Sequence, residues 1–270
     1  MALKPQVRTV LAYVIAASAW IWLSNLVLRH LVSNTEALGL WQSVKGTVFV
    51  VVTGALLYVM LDRDYRRMKQ SNLRLLQGNE EALRALVHAM DIRHKETRDH
   101  SDRVMRMTLA LARLAGIGGE ELRRIRFGAL LHDIGKLALP DAILIKPGPL
   151  TEEEITVMRT HPRLGYDLLQ QVDFLRDAVD IPYNHHERWD GGGYPRGLRA
   201  EQIPLAARVF SVVDVWDALS FPRVYKPAWP EDEVIAYLRK IAGSQLDPAL
   251  VALFLANYDD IKRAGMAPEA

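Results

Sequence analysis

The sequence contains no cysteine among its 270 residues. Disulfide bonds, a thiolate nucleophile, and zinc or iron–sulfur sites held by cysteine are therefore excluded. Net charge is also nearly absent, because 34 Lys and Arg residues oppose 32 Asp and Glu residues and leave +2. The chain thus lacks the basic field that would favour nucleic acid as a partner. A metal ion in this protein would have to be held by His, Asp or Glu.

Charged residues are missing from an apolar segment near the N-terminus. Residues 9–28 carry no formal charge, and a helix of twenty residues is about 30 Å long, the thickness of the hydrocarbon core of a bilayer. A second apolar segment covers about residues 38–61, with Lys45 placed to reach the interface. We predict a hairpin of two transmembrane helices. A cleaved signal peptide fits less well, because the first run is too long and no cleavage site of small residues follows it.

Positive residues flank the two predicted spans unequally. Six Lys and Arg residues flank the start of the first span and the end of the second span, whereas two lie near the loop that connects the spans. This bias places both ends in the cytoplasm. We therefore expect a multi-pass protein of the inner membrane whose remaining chain is cytoplasmic.

The spans are followed by a polar helical segment and then by a helical body. We predict a membrane anchor over residues 1–62, a helical linker over 63–89 and a folded domain over 90–270. Leu76, Leu83 and Met90 recur every seven residues, which fits both a dimeric stalk and a simple linker helix. The one strand-like run, residues 209–213, has no partner strand, so we predict an all-α fold.

Local signals also predict where several helices begin and end. Thr151 and Glu154 have the spacing of a capping box, and Pro162 predicts that the helix they begin ends at His161. Asp247 followed by Pro248 predicts the start of a later helix.

Histidines and acidic residues recur at sites that are otherwise apolar. Glu96 and His100 lie four residues apart, so both would face one side of a helix, and the same holds for the later pair at 132 and 136. A single His beside an Asp is usually a hydrogen-bonded core pair, but repetition at several sites favours metal binding. Nitrogen and oxygen ligands without sulfur favour two or more iron, manganese or similar ions. The set comprises Glu96, His100, His132, Asp133, Lys136, His161, His185, His186 and Asp214.

Two motifs in this set resemble a known family. The run from His132 to Lys136, with Asp133 beside the histidine, resembles the signature of the HD phosphohydrolase superfamily. Residues 185–195, with two histidines and a Gly-Gly-Gly-Tyr-Pro run, resemble the second signature of its HD-GYP branch, the cyclic di-GMP phosphodiesterases. The resemblance covers roughly residues 91–255. It implies an all-α HD-GYP helical bundle behind the two-helix transmembrane hairpin.

The resemblance also implies a role for individual residues. Asp133 and Lys136 would be catalytic, and Lys136 and Arg223 would contact the substrate phosphate. Glu96 occupies the position that binds a third metal in part of the family, so two or three divalent transition metal ions, iron or manganese, are implied. The family's other metal ligands fall on His100, His132, Asp133, His161, His185, His186 and Asp214.

The glycine-rich loop carries a further expectation. We expect Gly193 and Tyr194 to shape the mouth of the site and contact substrate, because glycine lets the backbone approach a bulky ligand. A purely structural turn fits this loop equally well.

The chain departs from the family pattern at Asp99, where many members have glycine, and at residues 221–222, where Phe-Pro replaces a more polar pair. Neither departure removes a ligand.

The implied activity is hydrolysis of cyclic di-GMP to pGpG and/or GMP by a metal-activated hydroxide, in bacterial second-messenger signalling. The expected partners are cyclic di-GMP, the membrane, a second copy of the chain and signalling proteins, but not nucleic acid. Two alternatives stay open. One is another HD-type nucleotide phosphohydrolase, and the other is a membrane-tethered adaptor that binds nucleotide or partner proteins without turnover.

Overall fold

A computed structural model of the protein describes residues 5–32, 35–94, 100–222 and 227–267. These ranges contain no β-strand beyond an isolated bridge between Ala242 and Leu246, which confirms the predicted all-α fold. Short 3-10 helices cover Ile134–Ala138, Arg176–Ala178 and Ala200–Gln202. The α-helices are α1 (Pro5–Leu31), α2 (Thr35–His94), α3 (His100–Leu114), α4 (Gly119–Leu130), α5 (Asp141–Leu144), α6 (Glu152–Met158), α7 (His161–Leu169), α8 (Asp180–Asn184), α9 (Leu205–Ser220), α10 (Glu231–Ile241), α11 (Pro248–Ala256) and α12 (Tyr258–Met266).

The chain divides into two compact units, residues 1–77 and 78–270. In the first unit, α1 and the N-terminal part of α2 are long and apolar enough to cross a membrane. Their apolar side chains are largely exposed, as expected for helices that have no protein core around them. The two helices contact each other through stacked rings of Trp20 and Phe49 and through Lys45, which donates a hydrogen bond to Asn25 Oδ1 (2.5 Å). The linker expected over residues 63–89 lies within α2.

The second unit is a helical bundle whose central helices are α3 and α9. α3 packs against α4, α9 and α12, and α9 packs in turn against α8, α10 and α11. Val104, Met107 and Leu111 form the buried apolar stripe of α3, whereas Leu114, which continues the same helical spacing, is 45% exposed. Leu114 is the last residue of α3, so it lies at the end of this stripe.

The end of α2 belongs to the core of this second unit. Val87 and Met90 are buried there, and Leu83 packs against the same cluster. Two of the three residues with seven-residue spacing therefore contact their own chain, which favours a simple helix over a coiled-coil stalk along that face.

Two of the three predicted helix boundaries are confirmed. Thr151 and Glu154 form a reciprocal capping box at the start of α6, and Asp247 accepts hydrogen bonds from the backbone at the start of α11. The predicted end at His161 is wrong, because α6 ends at Met158 and His161 begins α7. Pro162 lies in the first turn of α7, where a residue without an N–H leaves no intrahelical hydrogen bond unmade.

Candidate metal centre

The predicted ligands come from elements that are distant in the sequence and converge between α3, α7 and α9. His100 begins α3, the HD pair follows α4, His161 begins α7, the His-His pair follows α8, and Asp214 lies on α9. Their ligand atoms form two groups, each with all atoms within 4.8 Å of one another. One group is His161, His185 and His186, and the other is His100, His132 and Asp214.

Backbone carbonyl groups determine which ring nitrogen of three histidines faces the centre. The Nδ1 atoms of His132, His161 and His185 lie 2.9, 2.8 and 3.1 Å from the carbonyl oxygens of Ala129, Met158 and Ile181. A nitrogen beside a carbonyl oxygen must donate, so each Nδ1 carries hydrogen. Each Nε2 therefore has a lone pair when the ring is neutral.

These Nε2 atoms converge on the carboxylate of Asp133. The distances to its oxygens are 3.2 Å from His132, 3.3 Å from His161 and 3.8 Å from His185. The Nε2 atoms of His161 and His185 are also only 3.4 Å apart. Lone pairs that face a carboxylate and each other repel unless a proton or a metal ion lies between them. The donor set therefore fits divalent cations, with Asp133 between a member of each group.

The pKa values of the metal-free site follow from this convergence. Burial would lower the pKa of His132, but Asp133 and Asp214 raise it to about 9. Burial would raise the pKa of Asp133, but Lys136 and His132 hold it well below its usual range. Burial and nearby imidazoles lower the pKa of His186 to about 3. At pH 7 the Asp133 carboxylate is therefore ionised and the His186 imidazole is neutral.

The HD segment does not form the continuous helix that was expected to carry His132 and Lys136 on one face. α4 ends at Leu130, and Lys136 lies in the 3-10 helix that follows. The physical reason is a close backbone contact, because a Cβ atom on Gly135 would overlap the carbonyl group of His161. The turn presses this segment against the start of α7 and brings Asp133 next to His161.

Lys136 lies beside the acidic ligand. Its Nζ atom donates to Asp133 Oδ2 at 2.5 Å, and its side chain is 19% exposed. The ammonium group is thus held at the edge of the centre by the carboxylate that the histidines share.

The loop after the histidine pair is fixed by many hydrogen bonds. Glu187, which is buried, accepts from the backbone N–H groups of Arg196 (2.7 Å) and Leu198 (2.9 Å). A Cβ on Gly193 would overlap the backbone of residues 186–188, so the loop lies directly on the ligand segment. The ring of Tyr194 then stacks on His186 with centroids 4.7 Å apart, and burial raises its pKa to about 12.

The sequence left two acidic residues at this site, Glu187 and Asp217, undecided between contacts with ligand residues and ordinary packing or capping. Glu187 organises the loop, and Asp217 lies on α9 one turn beyond Asp214, where it contacts His100. The signal that was available for Asp217 was its position in an apolar helix, three residues after a predicted ligand. Two predicted site residues, Glu96 and Arg223, lie outside the described residues.

Comparisons with known proteins give related sequences over this unit. The family model for the HD domain matches residues 79–250. The cyclic di-GMP phosphodiesterase response regulator RpfG of Xanthomonas campestris pv. campestris is 42% identical over 200 residues, 73% of this chain and 53% of the relative. The cyclic di-GMP phosphodiesterase of Thermotoga maritima is 37% identical over 67% of this chain and 50% of the relative. The 3′3′-cGAMP-specific phosphodiesterase 2 of Vibrio cholerae is 36% identical over 69% of this chain and 36% of the relative.

The chain thus spans about half the length, or less, of these three relatives. Among solved structures, a cyclic GMP-AMP specific phosphodiesterase of Vibrio cholerae, V-cGAP3, has a TM-score of 0.53 at 18% identity. The match covers 69% of this chain and 52% of that chain, and at 18% identity it shows a similar fold alone.

Proposed function

The chain belongs to the HD-domain family, and we propose that it is a metal-dependent phosphodiesterase that hydrolyses cyclic di-GMP to pGpG and/or GMP. The observation that carries the proposal is the convergence of the Nε2 atoms of His132, His161 and His185 on Asp133. Relatives named cyclic di-GMP phosphodiesterases support the substrate. Bacterial second-messenger signalling is the proposed setting.

In this proposal the two ligand groups, together with Asp133, would hold two ions of iron or manganese. Ions bound there would supply Lewis-acid activation of water and neutralise charge on the phosphate. The low pKa of Asp133 keeps it ionised as a ligand across the physiological range. The low pKa values of His185 and His186 keep both rings neutral, which metal binding requires.

Lys136 and the loop are proposed to act on the substrate. The Lys136 ammonium lies at the edge of the centre, where it would bind phosphoryl oxygens as they gain charge in the transition state. Tyr194 remains protonated because its pKa is raised to about 12, so its hydroxyl can donate to the ligand. Arg159 lies 5.3 Å from the Tyr194 ring and adds positive charge at the same mouth. Gly193 and Arg223 complete the proposed substrate contacts.

Glu96 stays a proposed ligand for a third ion. It precedes His100 by four residues and would add a carboxylate near the group formed by His100, His132 and Asp214. Metal analysis of Glu96→Gln against wild type tests this assignment, with one fewer ion per chain expected in the variant.

A substrate panel with full-length protein tests the function. We expect manganese- or iron-dependent release of pGpG or GMP from cyclic di-GMP, loss of both metal and activity in Asp133→Ala, and loss of activity with metal retained in Lys136→Ala. The separation follows because an ammonium group has no lone pair to offer a metal. Lys262→Ala is the matched control, since this lysine also pairs with a carboxylate, that of Glu231, outside the centre. Wild-type activity in Lys136→Ala would contradict the assigned role.

The panel also separates the rival functions. 3′3′-cGAMP is included because a relative 36% identical to this chain is named as specific for it. Preferential cleavage of 3′3′-cGAMP would change the substrate and leave the chemistry intact. Tight binding of cyclic di-GMP without turnover, in metal-loaded protein, would instead favour the adaptor.

We further propose that α1 and the N-terminal part of α2 anchor the protein in the inner membrane, with residues after 62 in the cytoplasm. This topology is supported by two helices of sufficient length and apolarity. It is also supported by the excess of positive residues before the first span and after the second span, compared with the connecting loop. A reporter fused after Ala270 should be active only if it works in the cytoplasm. Activity of a reporter that works only outside it would contradict the topology.

A further inference from the structure

A buried set of polar contacts joins His100 and Arg103 on α3 to Asp217 on α9. His100 Nδ1 lies 2.6 Å from Asp217 Oδ2. Arg103, one turn after His100 on α3, donates to both oxygens of the same carboxylate, with Nε 2.5 Å from Oδ1 and Nη2 3.1 Å from Oδ2. The guanidinium carbon of Arg103 lies 3.6 Å from the centroid of the Phe221 ring, which covers it.

These three side chains are almost fully buried, so other protein groups rather than water must satisfy their hydrogen bonds. His100 and Asp217 are each 2% exposed and Arg103 is 5% exposed. A buried ion pair adds little net stability by itself, because desolvation offsets the attraction between the charges. A second, partly buried pair in this unit, Arg208 with Asp247, has an additional task, since Asp247 caps α11. Asp217 likewise makes a contact beyond its ion pair, with Nδ1 of His100.

The contacts determine the protonation of the His100 ring. Because Arg103 holds Asp217 as a carboxylate, both oxygens can only accept hydrogen bonds. The nitrogen that faces Oδ2, Nδ1, must therefore carry hydrogen. This leaves Nε2 as the ligand atom toward His132 and Asp214, the two other members of its group.

We propose that Asp217, held by Arg103, is a positioning residue that fixes His100 in the tautomer whose Nε2 can bind a metal ion. The inference rests on the proposed function in its reference to a metal. It assigns no contact with substrate to Asp217. Carboxylates that accept the second N–H of a ligand histidine typically change metal affinity by about ten- to hundredfold.

Asp217→Asn tests the inference because it changes the hydrogen-bond pattern and keeps the side-chain shape. Arg103 donates to both oxygens, and its contact through Nε to Oδ1 is the shorter of the two. We therefore expect the amide oxygen at the position of Oδ1, so that the amide NH₂ faces His100 and the 3.1 Å hydrogen bond from Nη2 is lost. A donor at that position requires an acceptor on Nδ1, which moves the ring hydrogen to Nε2. An Asp-to-Asn change beside a serine protease histidine has this effect on the tautomer, with the geometry intact.

The tautomer is measured in metal-free, full-length protein with ¹⁵N-labelled histidine, using long-range nitrogen–hydrogen correlation spectra. The His100 signals are identified by their loss in His100→Gln. We expect the Nδ1–H tautomer in wild type and the Nε2–H tautomer in Asp217→Asn. Titration with Mn²⁺ alone should then show one class of site weakened by about ten- to hundredfold in Asp217→Asn, with the other class unchanged.

Asp247→Asn is the matched control, because it removes the charge from the partly buried Arg208–Asp247 pair and should lower thermal stability without altering either measurement. An unchanged His100 tautomer in Asp217→Asn would overturn the inference. An equally large loss of Mn²⁺ affinity in Asp247→Asn would also overturn it, because the loss would then be a general structural effect. If Asp217→Asn switches the tautomer but wild type binds no Mn²⁺, the metal-dependent function fails, while the control of the His100 tautomer by Asp217 stands.

Discussion

Gly135 provides the most direct test of how the fold assembles the centre. A Cβ at this position would overlap three backbone atoms, the carbonyl carbon and oxygen of His161 and the nitrogen of Gly165. Backbone atoms cannot rotate away, so Gly135→Ala must move the 3-10 helix away from α7. Overpacking of this kind costs about 1–3 kcal/mol, and we expect the upper end because no flexible side chain can yield.

The effect of Gly135→Ala can be expressed as a change in melting temperature and a change in hydrolysis rate. For a domain of this size, about 2–4 °C of melting temperature corresponds to 1 kcal/mol, so Gly135→Ala should melt roughly 6–12 °C lower. Because Asp133 precedes Gly135 by two residues and His161 lies across the contact, the two ligands should separate. A displacement of about 1 Å can reduce the rate on the order of a hundredfold. Thermal unfolding and hydrolysis of cyclic di-GMP, measured on the same preparation, provide both values.

Two further glycines provide graded controls. A Cβ on Gly165 would meet the Gly135 nitrogen at 3.3 Å, so Gly165→Ala should have a smaller effect. A Cβ on Gly118 would have no neighbour within 4 Å, and Gly118→Ala should behave as wild type. If Gly135→Ala melts within 2 °C of wild type, or if Gly118→Ala is affected as strongly, the packing argument is wrong.

Two other outcomes follow from the structure. Residues 78–270 should fold as an isolated domain, whereas residues 91–270 should be less stable by about 4 kcal/mol or more, because they lack the buried Val87 and Met90; equal unfolding midpoints would contradict this. For metal-free protein, the His132 pKa is raised from 6.5 to about 9, so its stabilisation is complete below pH 6.5 and lost as pH rises through 9. The melting temperature should fall over that interval in wild type and less in His132→Gln, and parallel profiles would refute this role of His132.

Several features of the fold could be predicted from the sequence because their physical cause is local. The capping box of Thr151 and Glu154 and the cap formed by Asp247 each involve residues within one helical turn. The helical rather than extended form of residues 209–213 likewise followed from the absence of partner strands. The prediction at Pro162 was wrong because proline is compatible with both a helix end and a helix start. Only packing decided between them.

The sequence by itself determined the candidate ligands, since the absence of cysteine and the two motifs limited them to a few His, Asp and Glu residues. It could not determine which ring nitrogen each histidine presents, because that depends on carbonyl groups placed by the ends of α4, α6 and α8. Nor could it assign Asp217, whose partners lie more than 100 residues earlier on α3. Those contacts exist because α3 packs against α9, and because Gly135 lets Asp133 reach the start of α7. Such distances between elements depend on side-chain and backbone packing across the whole domain, which residue spacing along the chain does not contain.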